Sequence, residues 1–272
     1  ITSLASGGKR GFAQSVFQVG GNLGGSFGPL LVALLVAPYG RENIAYFAFV
    51  AIATILVMIP VCRWYKAFLR RAKWHPAESG IHHPMPLSNG WTIFAIVILM
   101  ILIFSKYIYM TSLTSYYTFY LIHKFGVSVQ MSQVFLFVFL FATAAGTLIG
   151  GPVGDRIGRK YVIWISILGT APFSLLMPYA SLGWTVVLSF CVGVMLSSAF
   201  PSILLYAQEL LPNKLGLISG LFFGFAFGVA GIASAVLGNM ADHFGIDAVY
   251  HVCAYMPLLG LVTWFLPDLK KR

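Results

Sequence analysis

Gly150-Gly151-Pro152-Val153-Gly154-Asp155-Arg156-Ile157-Gly158-Arg159-Lys160 is a charged, glycine-rich stretch between two long apolar runs, Phe135–Ile149 and Tyr161–Leu176. It is too short to form a domain, so the two runs are expected to turn back on each other here. Asp, two Arg and Lys are costly in hydrocarbon, which places the turn at a membrane face. The glycines permit a tight reversal and close helix approach.

The rest of the chain fits a bilayer. Of its 272 residues 59% are hydrophobic and only 9% charged, well outside the range of soluble domains. Apolar runs of roughly 20 residues recur along its length, which excludes a single large soluble core. The net charge of +10 does not mark a nucleic-acid protein, because the basic residues lie in the loops between apolar runs and read as topology signals. Cys62, Cys191 and Cys253 lie singly in apolar runs. They show neither disulfide nor metal spacing and read as small packing residues. His75, His82 and His83 lie in a basic loop without an accompanying cysteine or paired carboxylate and read as solvated.

Eight helices are expected, over residues 12–36, 44–64, 90–122, 128–150, 161–179, 184–210, 217–241 and 249–266, giving an all-α polytopic membrane protein. The third is longer than a bilayer is thick and must tilt, bend or protrude. Alternate loops carry Lys9, Arg10, Lys66, Arg70, Arg71, Lys73, Arg156, Arg159, Lys160, Lys214 and the terminal Lys270-Lys271-Arg272, whereas the opposite set carries only Arg41 and Lys124. The first set, and with it the C-terminus, is therefore expected on the cytoplasmic side. Trp64, Trp91, Trp164, Trp184 and Trp264 fall near helix ends, as an interfacial belt requires.

The chain repeats itself. Lys9-x-Gly11-x5-Phe17 matches Lys214-x-Gly216-x5-Phe222, and with the same offset Gly40 meets Gly245. The first two helices thus correspond to the last two. The last two follow four others, so about four helices are expected to precede residue 1 in a parent of two six-helix repeats. The divisions are then 1–65 for the end of the first half, 66–89 for a cytoplasmic linker and 90–272 for the second half.

No catalytic constellation, metal cluster or phosphate loop occurs, so neither enzyme chemistry nor a cofactor is expected. Polar residues inside the apolar runs are the candidate sites. Lys106 lies about 22 Å along its helix from Trp91, too deep to snorkel from that end. A cation there needs a partner, water or a substrate. Tyr109, Tyr117 and Tyr120 share its face with Leu113 and offer hydroxyl donors, which together suit a small anion. The alternatives are a structural pair with a carboxylate from elsewhere and a place in a water-filled vestibule. Gln18 and Asn22 share a face of the first helix with Gly21 and Gly25, where they line a cavity or pack on a neighbour. Gly220, Gly224, Gly228, Gly231, Ala235 and Gly238 form a comparable small-residue stripe on the seventh helix, suited to close packing. At the basic face, Asp155 with Arg156 or Arg159 and Glu209 is expected to form an ion-pair network that biases a gate. Asp155 is also expected to cap the helix that starts near Leu217. The alternative role is interfacial anchoring, preferred for Arg156 and Lys160.

Three elements carry a family resemblance. The Gly151-x-x-x-Asp155-Arg156-x-Gly158-Arg159-Lys160 stretch between two membrane helices resembles the signature loop of the major facilitator superfamily. Glu209-x-x-Pro212-x-Lys214-x-Gly216 resembles its acidic-Pro-basic-Gly element, expected to meet that loop. Gly24-x-x-x-Gly28-Pro29 partly resembles a drug-antiporter element, with Val32-Ala33 where paired glycines usually follow. Read whole, the chain resembles the fosmidomycin resistance family of drug-efflux carriers. The resemblance rests on Gln14-Ser15-Val16-Phe17-Gln18-Val19-Gly20-Gly21-Asn22, Ile103-Phe104-Ser105-Lys106-Tyr107, Ser115-Tyr116-Tyr117-Thr118-Phe119-Tyr120 and Ser219-Gly220-Leu221-Phe222-Phe223-Gly224. It implies the major facilitator fold, with this chain as helices five to twelve of twelve, and a monomer in a bacterial inner membrane. It further implies export of a small phosphonate anion in exchange for protons. An uptake carrier for a natural organic anion and a non-transporting sensor or scaffold stand as alternatives.

Overall fold

The computed structural model describes residues 10–40, 42, 45, 47–72 and 89–267. The histidines of the linker, Lys9 and the terminal Lys270-Lys271-Arg272 lie outside these. Among the described residues, eight helices are long and apolar enough to cross a membrane. α1 spans Arg10–Leu31 and continues through a wide π turn, Val32–Val36, into Ala37–Tyr39. α2 spans Phe47–Ala72, α3 Asn89–Phe125 and α4 Val129–Ile157. α5 comprises Arg159–Leu168 and Ala171–Leu176, and α6 comprises Leu182–Ser197 and Ala199–Leu210. α7 spans Leu215–Phe244, and α8 comprises Ile246–Cys253 and the 3-10 segment Met256–Phe265.

Two boundaries differ from expectation. α4 runs straight through Gly150-Gly151-Pro152-Val153-Gly154 to Ile157, so most of the stretch expected as a turn is helix. The reversal is made by Gly158 alone, at φ 108°, a conformation that side chains with a Cβ rarely adopt. α2 likewise extends to Ala72 and takes in Lys66, Arg70 and Arg71, which were expected in a loop. The repeat keeps its register. Gly40 and Gly245 end their helices at φ 97° and 83°, and each donates its N–H to the carbonyl four residues back, Val36 and Ala241.

α4 is the hub of the bundle, because its glycines admit neighbours on two faces. A Cβ at Gly150 would stand 2.6 Å from the Ser198 Cα of α6, and a Cβ at Gly146 would fall onto the Val194 carbonyl. On another face, a Cβ at Gly151 would overlap the Ser15 hydroxyl and the Gly11 carbonyl of α1. By contrast, Gly220, Gly224, Gly228 and Gly231 of α7, and Gly20, Gly21, Gly24, Gly25 and Gly28 of α1, have nothing within 4 Å of a Cβ position. Gly238 of α7 is the exception, since a Cβ there would stand 2.7 Å from the Tyr116 hydroxyl of α3. Along the rest of these two stripes the expected close packing is not exercised among the described residues. α2 is open too, and its apolar window carries no buried residue.

Two apolar clusters fill the bundle formed by α3 to α8. One gathers Ile103, Ile163, Ile203, Phe222 and Leu266 near the basic end, the other Leu113, Phe139, Val192, Leu237 and Val249 near the opposite end. Three helices break inside the bundle, and hydroxyls meet the freed carbonyls, as a medium without water demands. Ser174 donates to the Ala254 carbonyl at 2.8 Å, and Ser105 donates to the Met256 carbonyl at 2.5 Å. Ser198, at the α6 break, shares a 2.5 Å hydrogen bond with Ser166. Of the cysteines only Cys253 is buried; Cys62 is exposed and Cys191 intermediate. Trp64, Trp91, Trp164, Trp184 and Trp264 all present exposed rings.

Candidate functional site

At the basic end, α1, α4, α5 and α6 meet on three charges. The carboxylate of Asp155 accepts from the backbone N–H groups of Gly11 and Phe12, both at 3.1 Å. These are orphan donors of the first turn of α1, where the helix dipole favours an anion. Asp155 therefore caps the helix that begins at Arg10, not the one near Leu217 as expected. The two helix starts are equivalents in the repeat, and only contact in three dimensions selects between them. Arg159 Nη1 lies 2.8 Å from Asp155 Oδ1, a contact of charge more than an aligned hydrogen bond. Arg159 Nε donates to Glu209 Oε1 at 3.2 Å. Arg159 is thus the cation shared by the two carboxylates, while Arg156, in the last turn of α4, is exposed. Lys160 donates to the carbonyls of Trp264 and Leu266 and ties the start of α5 to the end of α8. The side chains of Arg159, Asp155 and Glu209 are 12%, 22% and 27% exposed, so water screens the network only in part.

The amides of α1 face α4. Asn22 Nδ2 donates to Thr147 Oγ1 at 2.8 Å, and Thr147 in turn donates to the Thr143 carbonyl. Gln18 Nε2 is buried without a hydrogen-bond partner, as is the nearby Ser15 hydroxyl. Asn22 is thereby occupied at a helix interface, whereas the Gln18 amide keeps an unused donor.

Lys106 and the three tyrosines do not form one site. Tyr109, Tyr117 and Tyr120 are fully buried in the apolar cluster away from the basic end. The Tyr117 hydroxyl shares a hydrogen bond of 2.9 Å with Ser189. Tyr120 accepts from Lys124 Nζ at 2.9 Å and stacks on Tyr250 at 3.8 Å between ring centroids. These side chains pack α3 onto α4, α6 and α8. Lys106 is 5% exposed and lies instead against the rings of Tyr107 and Phe200, its Nζ 5.3 and 5.0 Å from their centroids. Among the described residues no ion pair joins it to a carboxylate. The sequence reading missed Tyr107 and Phe200 as contacts; Tyr107 adjoins Lys106 in the chain and could have been found, whereas only helix packing brings Phe200 beside it.

Comparison with known proteins adds a lineage to this geometry. The family model described as Major Facilitator Superfamily matches residues 1–137 and 98–272. The chain is 58% identical over 272 residues to the fosmidomycin resistance protein of Escherichia coli (strain K12), an overlap that covers 100% of this chain and 66% of that protein. It is 34% identical over 274 residues to an uncharacterized MFS-type transporter, YfnC, of Bacillus subtilis (strain 168), with the same two shares, 100% and 66%. A gallate transporter of Pseudomonas putida is 32% identical over 130 residues, 46% of this chain and 29% of that protein. The chain therefore spans 66% of the length of the two relatives that it matches from end to end.

Proposed function

We propose, from the premise that the chain belongs to the Major Facilitator Superfamily, that this multi-pass membrane protein is a carrier and not an enzyme. In this reading it exports a small anion of the fosmidomycin type in exchange for protons, by alternating access. The observation that carries the proposal is Lys106: a cation 5% exposed within the bundle, faced by aromatic rings and by no carboxylate among the described residues. A buried ammonium keeps three donors that call for an acceptor, and an anionic cargo supplies one. Gln18, with its unused donor, is the second contact that we assign to the cargo; Asn22 and the three tyrosines we assign to packing.

The seat is read as a bacterial inner membrane, with the basic loops and the C-terminus in the cytoplasm and the protein acting as a monomer. Residues 1–65 and 90–272 are read as parts of two halves joined by the 66–89 linker. Likeness to a gallate transporter favours a second reading, uptake of an aromatic carboxylate. The direct test is flux in everted vesicles that carry the protein. Accumulation of labelled fosmidomycin on imposing an acidic interior, with dissipation of that gradient, is the expected result. Entry in right-side-out vesicles alone points to uptake, and no flux in either orientation removes the carrier reading for this cargo.

The network of Asp155, Arg159 and Glu209 is proposed as a latch on the basic face. It bridges α1 to the α3–α8 bundle at a rim where water enters when the face opens. Asp155→Asn keeps the shape but removes the charge that both Arg159 and the α1 N-terminus use, a loss of about 1–2 kcal/mol. That corresponds to roughly a five- to thirtyfold shift of an open–closed equilibrium. Labelling of a cysteine placed beside Gly11 should rise accordingly, and labelling unchanged from wild type would reduce the network to an anchor.

A further inference from the structure

Lys106 does not stand alone; it ends an aromatic row. The Tyr107 and Phe200 rings that flank its Nζ meet each other edge to face, 5.6 Å between centroids at 74°. Phe200 meets Phe223 edge-on at 5.3 Å and 70°, and Phe223 lies over Phe227 at 6.3 Å and 19°. Three helices, α3, α6 and α7, thus contribute to one row, with Phe227 at its exposed end. The row holds Phe200 in place, and Phe200 with Tyr107 holds the ammonium.

The chemistry of this seat is specific. A carboxylate partner would neutralise the lysine and compete with any anionic ligand. A ring face attracts the cation through its quadrupole yet accepts none of its N–H bonds in the strong sense. The Lys106 head is therefore held in place with its N–H donors left for a ligand. Tyr107 adds to this. The hydroxyls of Tyr116, Tyr117 and Tyr206 each reach a protein partner, whereas among the described residues no hydrogen bond occupies the Tyr107 hydroxyl.

We propose that Tyr107 and Phe200 determine what the Lys106 seat accepts: an aromatic cradle that presents the ammonium, with the Tyr107 hydroxyl as a second donor, to a compact oxyanion with two or more oxygens on one centre. Phosphonates and carboxylates meet this description; quaternary and neutral compounds do not. The inference rests on the reading of Lys106 as the cargo contact. Phe200 acts through Lys106 and is a positioning residue, while Tyr107 both positions and binds.

The test is equilibrium binding to the purified full chain, with fosmidomycin, methylphosphonate and benzoate as separate probes. Phe200→Leu is expected to weaken oxyanion binding about tenfold or more, and Phe200→Tyr to restore it to within about threefold. Tyr107→Phe, which keeps the ring and loses the hydroxyl, is expected to weaken binding about tenfold or more, the weight of one charge-assisted hydrogen bond. Phe244→Leu, an exposed ring at the far end of α7 outside the row, is expected to leave binding unchanged. Rescue by the second aromatic residue is what a merely space-filling Phe200 would not produce in preference to leucine. Wild-type affinity in Phe200→Leu or in Tyr107→Phe overturns the cradle while the carrier reading stands. If Phe200→Leu does not fold, Phe200→Tyr and Tyr107→Phe still decide, because both keep their rings. A wild-type protein that binds benzoate but no phosphonate overturns the phosphonate cargo only, and the variants are then judged with benzoate. A wild-type protein that binds none of the three probes overturns both the cradle and the reading on which it rests.

Discussion

Lys106→Met is expected to abolish protection of an efflux-deficient strain against fosmidomycin while leaving the protein at least as stable as wild type. Methionine keeps the length and the apolar stem and removes only the charge. In transport the lost interaction is a charge-assisted hydrogen bond to an oxyanion, about 1.5–3 kcal/mol, or roughly tenfold to more than a hundredfold. In stability the sign is opposite. A cation held in the membrane interior costs several kcal/mol, and the rings of Tyr107 and Phe200 return only about 2 kcal/mol of it. A structural lysine predicts the reverse pattern, in which Met lowers the melting temperature and protection falls only as far as protein level does. Both quantities should be measured on the same membranes, with protein amounts matched. Protection retained at matched levels would remove Lys106 from the cargo path and leave the carrier reading to the vesicle experiment.

Gly146→Ala carries the largest expected structural effect. Its Cβ would fall onto the backbone carbonyl of Val194, and a backbone cannot rotate away as a side chain can. α4 and α6 must then separate along a shared face that includes Gly150 against Ser198 and Gly154 against Ser202. Overpacking of this kind costs about 1–3 kcal/mol. For a chain of this size that lowers the melting temperature by roughly 2–5 °C. Gly183→Ala is the control, since a Cβ there meets nothing within 4 Å in an otherwise helical position. It should melt with wild type or slightly above it. Size-exclusion melting in detergent compares the two directly. Equal melting of Gly146→Ala and wild type would mean that α4 and α6 do not pack as closely as described.

These two residues show where sequence reading succeeds and where it stops. The depth and charge of Lys106 are local properties, visible from its place in an apolar run. Its neighbours are not. Helical periodicity put Lys106 on one face with Tyr109, Tyr117 and Tyr120, but a face is a broad stripe that neighbouring helices share. The long lysine stem turns toward Tyr107 and Phe200, while the tyrosines belong to a separate cluster. Glycine shows the same limit. Its small size at i, i+4 spacing is equally plain in α4 and α7, yet the α4 set lies against neighbouring backbones, whereas Gly220, Gly224, Gly228 and Gly231 of α7 meet nothing and Gly238 meets only the Tyr116 side chain among the described residues.

The sequence by itself determined the membrane class, the eight spans, the basic and non-basic ends and the register of the internal repeat. Each of these follows from hydropathy, charge and turn chemistry carried within a few dozen consecutive residues. The family, too, was legible in short runs such as the signature stretch. The tertiary structure alone decided that Asp155 caps α1, that Arg159 joins it to Glu209, and that α4 stays helical through Pro152. It alone placed Phe200 beside Lys106. These are pairings between residues far apart in the chain, with two or more chemically equivalent candidates for each partner. Local pattern ranks such candidates equally; only the distances set by helix packing separate them.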